Sequence, residues 1–188
     1  MGSWMEIALR SFTQPRDAAR DLIDRNLGWD IVLSAFIASS CLSTILFFSF
    51  DGGQVPEDFP FAAVFQAPLL LVSFFLASGV IVSLGINFVG QLVGGTGTVL
   101  HMMLIMAWFQ VLQVGIQVVT YALLILIAPA AMLMQFVMFW YGIFIFVAFV
   151  AEAYGFENWF KSAVVSLAGF IASIAALAGI LSPVLIGG

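Results

Sequence analysis

"PLLLVSFFLASGVIVSLGINFV", residues 68–89, runs its whole length without a charged side chain. Lipid offers no partner for open backbone N–H and C=O groups, so such a stretch crosses a bilayer as a helix, which closes those bonds within itself. Four further uncharged runs, 31–50, 99–127, 132–150 and 162–181, have the same character. They are too long and too evenly apolar for the alternating strands of a membrane barrel. The run 99–127 would measure about 43 Å at 1.5 Å per residue, which implies a tilt or an end outside the hydrocarbon. The expected fold is therefore all-α: a polytopic membrane protein with five transmembrane helices in one bundle, preceded by an N-terminal amphipathic helical segment. Residues 1–29 form that segment, and 30–188 the five-span membrane domain.

Composition agrees. The 188 residues are 63% hydrophobic and 8% charged, with a mean hydropathy of +1.17, whereas a soluble domain carries about a quarter charged residues. A net charge of -5 with five Lys and Arg in all leaves no clustered basic face for nucleic acid. Cys41 is the only cysteine; within an apolar run it is expected to be an inert thiol. No paired, similarly interrupted spans mark the halves of an inverted-repeat transporter.

The few cations set the expected topology. Arg10, Arg16, Arg20 and Arg25 precede the first span, and Lys161 lies between spans four and five. Basic residues stay on the cytoplasmic side. Five crossings then put every Lys and Arg inside, "DGGQVPEDFP" (51–60) with Asp51, Glu57 and Asp58 outside, and the tail "SPVLIGG" outside too. The expected location is a bacterial inner membrane, with the N-terminus cytoplasmic and the C-terminus external. Residues 1–30 have no charged start followed by an apolar core and cleavage site, so a retained N-terminus is expected. Glu6 stands where a myristoylation signal needs Ser or Thr.

Ahead of the first span, Pro15 can open a helix capped by Thr13, with Ala19, Ile23 and Leu27 on one stripe and Asp21 paired to Arg25 on another face. Upstream, Trp4, Ala8 and Phe12 repeat the four-residue spacing. Two placements stay open for that segment: flat in the headgroup region, or packed beneath the bundle.

Gly90, Gly95 and Thr96 nearly spell a phosphate-binding loop, but the lysine is absent and no soluble strand precedes them. Gly94, Gly95 and Gly97 are expected instead to form a cytoplasmic glycine turn between spans two and three. His101 stands at the mouth of span three; a lone histidine without neighbouring ligands is expected to hydrogen-bond at the interface rather than bind metal. No nucleophile, base and orienter assemble in the sequence. No catalytic residue, metal ligand or cofactor is therefore expected.

Gln110, Gln113, Gln117 and Thr120 fall within an arc of about 80° on span three. This buried polar stripe either glues helices together through partners such as Asn87 or Gln135, or lines a path for a neutral solute. No span interior holds an acid or a base; Glu152, at the end of span four, comes closest. Small residues recur at four-residue spacing as Ala35, Ser39 and Ser43, as Gly79 and Ser83, and as Ala168, Ala172 and Ala176, a pattern that lets helix backbones approach closely in a monomer or an oligomer. Trp4, Phe12, His101 and Glu152 are the candidate interface residues.

Four features in order resemble the YIP family of Ypt/Rab-interacting five-span membrane proteins, in particular its short bacterial members. They are "TQPRDAARDLI" (13–23), "GQLVGGTGTVLHMMLIMAW" (90–108), "AYGFENWFKSAVVSL" (153–167) and the five spans themselves. The resemblance implies a multi-pass scaffold with a cytoplasmic N-terminus and no enzymatic site, associated in eukaryotic relatives with Rab GTPases, trafficking and membrane shaping. It also matches Gly94, Gly95 and Gly97 to the family's glycine turn. The long N-terminal region, the DLxGP signature and the GYS motif of eukaryotic members are absent. A Rab-type GTPase is therefore not an expected partner; membrane lipids, other membrane proteins or a second copy are.

Overall fold

The computed structural model describes residues 3–50 and 62–186, with side chains up to residue 177 and at 179. The acidic loop residues Asp51, Glu57 and Asp58 lie outside the described residues, as do the last two of the tail. Among the described residues eight helices follow one another: α1 Trp4–Thr13, α2 Pro15–Ile23, α3 Trp29–Phe50, α4 Ala62–Gln66, α5 Pro68–Leu92, α6 Val99–Leu126, α7 Ala128–Tyr154 and α8 Trp159–Ile186. Among the described residues there is no strand. Five of the helices, α3 and α5 to α8, are long and apolar enough to cross a membrane. Their outer faces expose Leu69, Ile125, Met132, Phe136 and Leu167, far more apolar surface than water tolerates on a monomer and what lipid requires.

Local chemistry sets the helix ends. Ser3 caps α1 by accepting the Glu6 N–H at 3.2 Å. Pro15 opens α2, where its missing N–H costs nothing. Thr13, expected to cap α2, is instead the last residue of α1; the cap position falls on Gln14, which makes no side-chain cap bond. Asn26, with φ 48°, ends the chain segment after α2 in the left-handed region that Asn tolerates. Thr98 caps α6 through the His101 N–H at 3.2 Å, and Asn158 caps α8 through the Phe160 N–H at 2.8 Å. Pro129 sits in the first turn of α7, directly after the break at Ile127 that ends α6.

The chain forms two compact units. The first contains α1, α2, α5 from Ser78, α6 to Met106, α7 from Ile145, and α8. The second contains α3, α4 and the remaining parts of α5, α6 and α7.

In the first unit, α1 and α2 make an antiparallel hairpin. Arg10 pairs with Asp21 at 2.6 Å, and the Arg25 guanidinium lies 4.1 Å from the centroid of the Trp4 ring. This replaces the expected Asp21–Arg25 pair. The buried stripe of α2 is Pro15, Ala18, Ala19 and Leu22 rather than Ala19, Ile23 and Leu27, because the helix ends at Ile23 and leaves Leu27 beyond it. Helices α5 and α8 cross closely where Gly85 and Gly169 bare their backbones. A Cβ on Gly169 would stand 2.5 Å from Ile86 Cα, and one on Gly85 would stand 2.2 Å from Ser173 Oγ. The Ser173 hydroxyl lies within hydrogen-bond reach of two carbonyls, Gly169 O at 2.7 Å and Ile81 O at 3.2 Å. The crossing thus uses Gly169 and Ser173, one position along from the alanine stripe, of which Ala172 and Ala176 stay exposed.

In the second unit, α3 and α6 run parallel: Ser39 and Ser40 meet Gln110, and eleven residues on, Phe50 stacks on Tyr121 with centroids 4.2 Å apart.

Candidate functional site

Two features of the first unit meet at the ends of α5 and α7. Helix α5 closes with Gly94 at φ 80°, the Gly95 N–H donating to Gly90 O at 2.9 Å and the Gly94 N–H to Gln91 O at 3.0 Å. Helix α7 closes the same way, with Gly155 at φ 68°, the Phe156 N–H on Ala151 O at 2.8 Å and the Gly155 N–H on Glu152 O at 3.2 Å. Both are Schellman turns, which need a residue free to adopt positive φ. The two turns are joined by the Thr96 N–H, which donates to Tyr154 O at 3.2 Å.

Tyr154 is the centre of this arrangement. It is 1% exposed, stacks on Phe156 at 5.8 Å, and donates its hydroxyl proton to Asn87 Oδ1 at 3.1 Å. Three glycines press on its ring: a Cβ would come within 2.8 Å of it at Gly90, 2.8 Å at Gly95 and 2.6 Å at Gly97. The glycine cluster is therefore a socket for a tyrosine. Of the three expected turn residues, Gly94 supplies the turn, while Gly95 and Gly97 supply clearance. Tyr154 and Gly155 were not singled out from the sequence, and Asn87 was expected to meet the glutamine stripe instead; the signal available for the other two was "YG" at the end of an apolar run, which marks a glycine-closed helix.

Around the end of α7 gather three cations. Arg16 donates to the Phe156 carbonyl oxygen, Arg20 donates to Glu152 Oε1 at 2.7 Å, and Lys161 lies 4.5 Å from the centroid of the Phe156 ring. A helix C-terminus carries partial negative charge, so cations belong there. The hydrogen bond to Glu152, and then the attraction of its charge, push the Arg20 guanidinium above its already high value. That contribution would fade only as pH rose through the raised value, so Arg20 stays protonated wherever the protein is handled. Glu152 is thus a tether for α2. His101, in the first turn of α6, and Phe12, on α1, are partly buried.

On α1 the buried residues are Ile7 and Ser11, and the opposite face is apolar yet open: Met5 is 70% exposed and Leu9 64%, while the half-exposed Trp4 lies on the Ser11 side with its ring against Arg25. The sequence stripe of Trp4, Ala8 and Phe12 captured only the edge of that face.

In the second unit the glutamine stripe divides. Gln110 donates from Nε2 to Ser40 Oγ at 3.0 Å and accepts from Ser39 Oγ at 3.1 Å. Its expected partners are engaged or turned away: Asn87 serves Tyr154, and Gln135 is exposed. Gln113 faces α7, its Nε2 3.5 Å from where a Cβ on Gly142 would stand. The Gln117 Oε1 is buried with no hydrogen-bond partner among the described residues, and Thr120 is partly buried. No three His, Cys, Asp or Glu side chains converge as a metal site among the described residues.

The chain matches the Yip1 domain over residues 9–181, nearly its whole length. It belongs to the YIP family. Comparison with curated proteins and with solved structures finds no match for this YIP-family chain. The family match spans α2, α3, α5, α6 and α7 and most of α8, and so includes both Schellman turns and the α2 tether.

Proposed function

We propose that this YIP-family membrane protein is a non-enzymatic scaffold that organises lipid or membrane-protein partners through its N-terminal helical hairpin. One observation carries the proposal: α2 is fastened by Arg16 and Arg20 to the α7–α8 turn while α1 keeps an open apolar face. A hairpin held this way presents a contact surface at a fixed place on the membrane domain. In this reading the protein sits in a bacterial inner membrane, N-terminus in the cytoplasm and C-terminus outside. The grouping of Arg16, Arg20 and Lys161 near one turn supports that orientation under the positive-inside rule. Partners are membrane lipids and other membrane proteins or a second copy, not a Rab-type GTPase. The test is deletion of residues 1–12 in the intact cell membrane, followed by crosslinking mass spectrometry. A scaffold loses a defined set of crosslinked neighbours; an unchanged set sinks the proposal.

A second reading is favoured by the unpartnered Gln117 oxygen: a small permease for a neutral solute, lined by Gln110, Gln113 and Gln117. Flux of small neutral solutes into proteoliposomes, before and after replacing all three by Leu, separates the two. A scaffold shows none in either state.

A further inference from the structure

We infer that the α1 face of Met5 and Leu9 is occupied by the headgroup layer of the bilayer that the protein itself crosses, and that apolar insertion, not attraction to anionic lipid, holds it there. This deepens the scaffold reading by naming what covers the hairpin.

Three observations lead to it. The first is position. Helix α2 is tied to the turn between α7 and α8, both membrane-length helices, and α8 opens with exposed Trp159 and Phe160. Aromatic side chains at the end of an apolar helix mark the membrane–water boundary. Since α1 packs against α2 as an antiparallel partner, and one helix is about 10 Å across, the α1 face lies within reach of that boundary.

The second is size. Two exposed aliphatic side chains offer a few hundred Å² at most, since even a whole aromatic side chain has only about 150–250 Å². A stable protein interface buries about 800 Å² on each partner. The face is too small for a lasting protein contact by itself, whereas an interfacial helix needs only a modest apolar stripe.

The third is charge. A helix drawn to anionic lipid keeps its basic residues free on the polar face. Here each arginine of the hairpin has an internal partner: Arg10 on Asp21, Arg16 on the Phe156 carbonyl, Arg20 on Glu152, and Arg25 over Trp4. The four arginines are also matched by Glu6, Asp17, Asp21 and Asp24. The hairpin has no net positive charge to offer an anionic surface.

The test uses the full chain in vesicles. Because Cys41 is the only cysteine, a Cys41→Ser background allows Met5→Cys, Leu9→Cys and, as a water-facing reference, Asp17→Cys, each carrying an environment-sensitive fluorophore. Vesicles are phosphatidylcholine with or without phosphatidylglycerol, with spin labels at a shallow position on the acyl chains. Labels at positions 5 and 9 should shift to the blue and be quenched by the shallow spin label, while position 17 keeps water-like emission. Both effects should be equal in the two lipid mixtures. Adding Leu9→Asp should return the label at position 5 to water without loss of the monodisperse protein peak.

Water-like emission at positions 5 and 9, or quenching that appears only with phosphatidylglycerol, overturns the inference. A blue shift without quenching by lipid means that protein covers the face; this also overturns it while leaving the scaffold reading intact. An unchanged crosslink pattern on deleting residues 1–12, together with lipid quenching, has the opposite meaning: the face is in lipid, and the scaffold reading fails.

Discussion

The Tyr154 socket of the first unit and the Gln110 seam of the second both bury polar groups inside apolar helices, by opposite means. The socket is made by subtraction: glycines remove side chains until a phenol ring fits, and two left-handed turns present backbone groups to one another. The seam is made by addition, serine hydroxyls supplied opposite an amide until donor and acceptor are both met. A site built by subtraction tolerates no added atom, since backbone cannot move aside. A site built from flexible hydroxyls has somewhere else to turn when a partner goes, because Ser39 already shares its proton with Phe36 O at 3.1 Å. The first should be brittle and the second forgiving.

Tyr154→Ala should show the largest loss. Emptying a fully buried aromatic site costs about 3–5 kcal/mol, and here Asn87 also loses its donor. Thermal unfolding of the purified protein, followed by loss of the monodisperse peak on size exclusion, should fall steeply. A shift no larger than that of a surface substitution would mean that the socket does not hold the first unit together. Gly97→Ala comes next. Its new Cβ would meet the Tyr154 ring at 2.6 Å and the Ala153 carbonyl oxygen at 2.7 Å, an overpacking worth about 1–3 kcal/mol. Gly115→Ala is the control in the same assay, because nothing lies within 4 Å of that position and a helix interior prefers alanine. If Gly97→Ala and Gly115→Ala behave alike, subtraction is the wrong description of the socket.

The two regions also differ in how far the sequence disclosed them. The all-helical membrane fold was legible because uncharged runs such as 68–89 leave the backbone no other way through lipid. The turn at Gly94 followed from a glycine cluster between two such runs. What the cluster was for did not follow, because Tyr154 lies 57 residues beyond Gly97 in the chain and nothing local links the two. The glutamine stripe was visible as a helical arc, but its partners were not. Asn87 and Gln135 are the larger amides a reader reaches for, while the structure uses Ser39 and Ser40, which look like small-residue packing positions. Small hydroxyl residues serve both roles, and spacing alone does not separate them. The α1 face was found only at its edge, since four-residue spacing from Trp4 does not say which of two neighbouring stripes is turned inward by Ile7 and Ser11.

Gln110→Leu tests the forgiving half of the comparison. An interhelical polar contact of this kind contributes about 0.6–2 kcal/mol, and the serines freed by the change can bond carbonyls of their own helix, as Thr44 does with Ser40 O at 2.9 Å. The expected loss is therefore smaller than that of Gly97→Ala. Making the change in a Ser39→Ala, Ser40→Ala background should cost still less, because the partners are already gone. Equal losses in the two backgrounds would mean that the hydrogen bonds carry none of the effect.

The smallest change, and the one whose sign matters most, is Gln117→Leu. Its Oε1 is buried without a partner among the described residues, and an unmet buried acceptor costs about 1–3 kcal/mol. If Gln117 is only a flaw in the seam, removing the amide should leave thermal stability unchanged or raise it slightly, with no effect on solute flux. If the oxygen is held open for a passing molecule, the same substitution should leave stability alone and lower flux from a measurable starting level. One variant therefore asks both whether the seam is packing alone and whether the permease reading survives, and the two answers come from different instruments on the same sample.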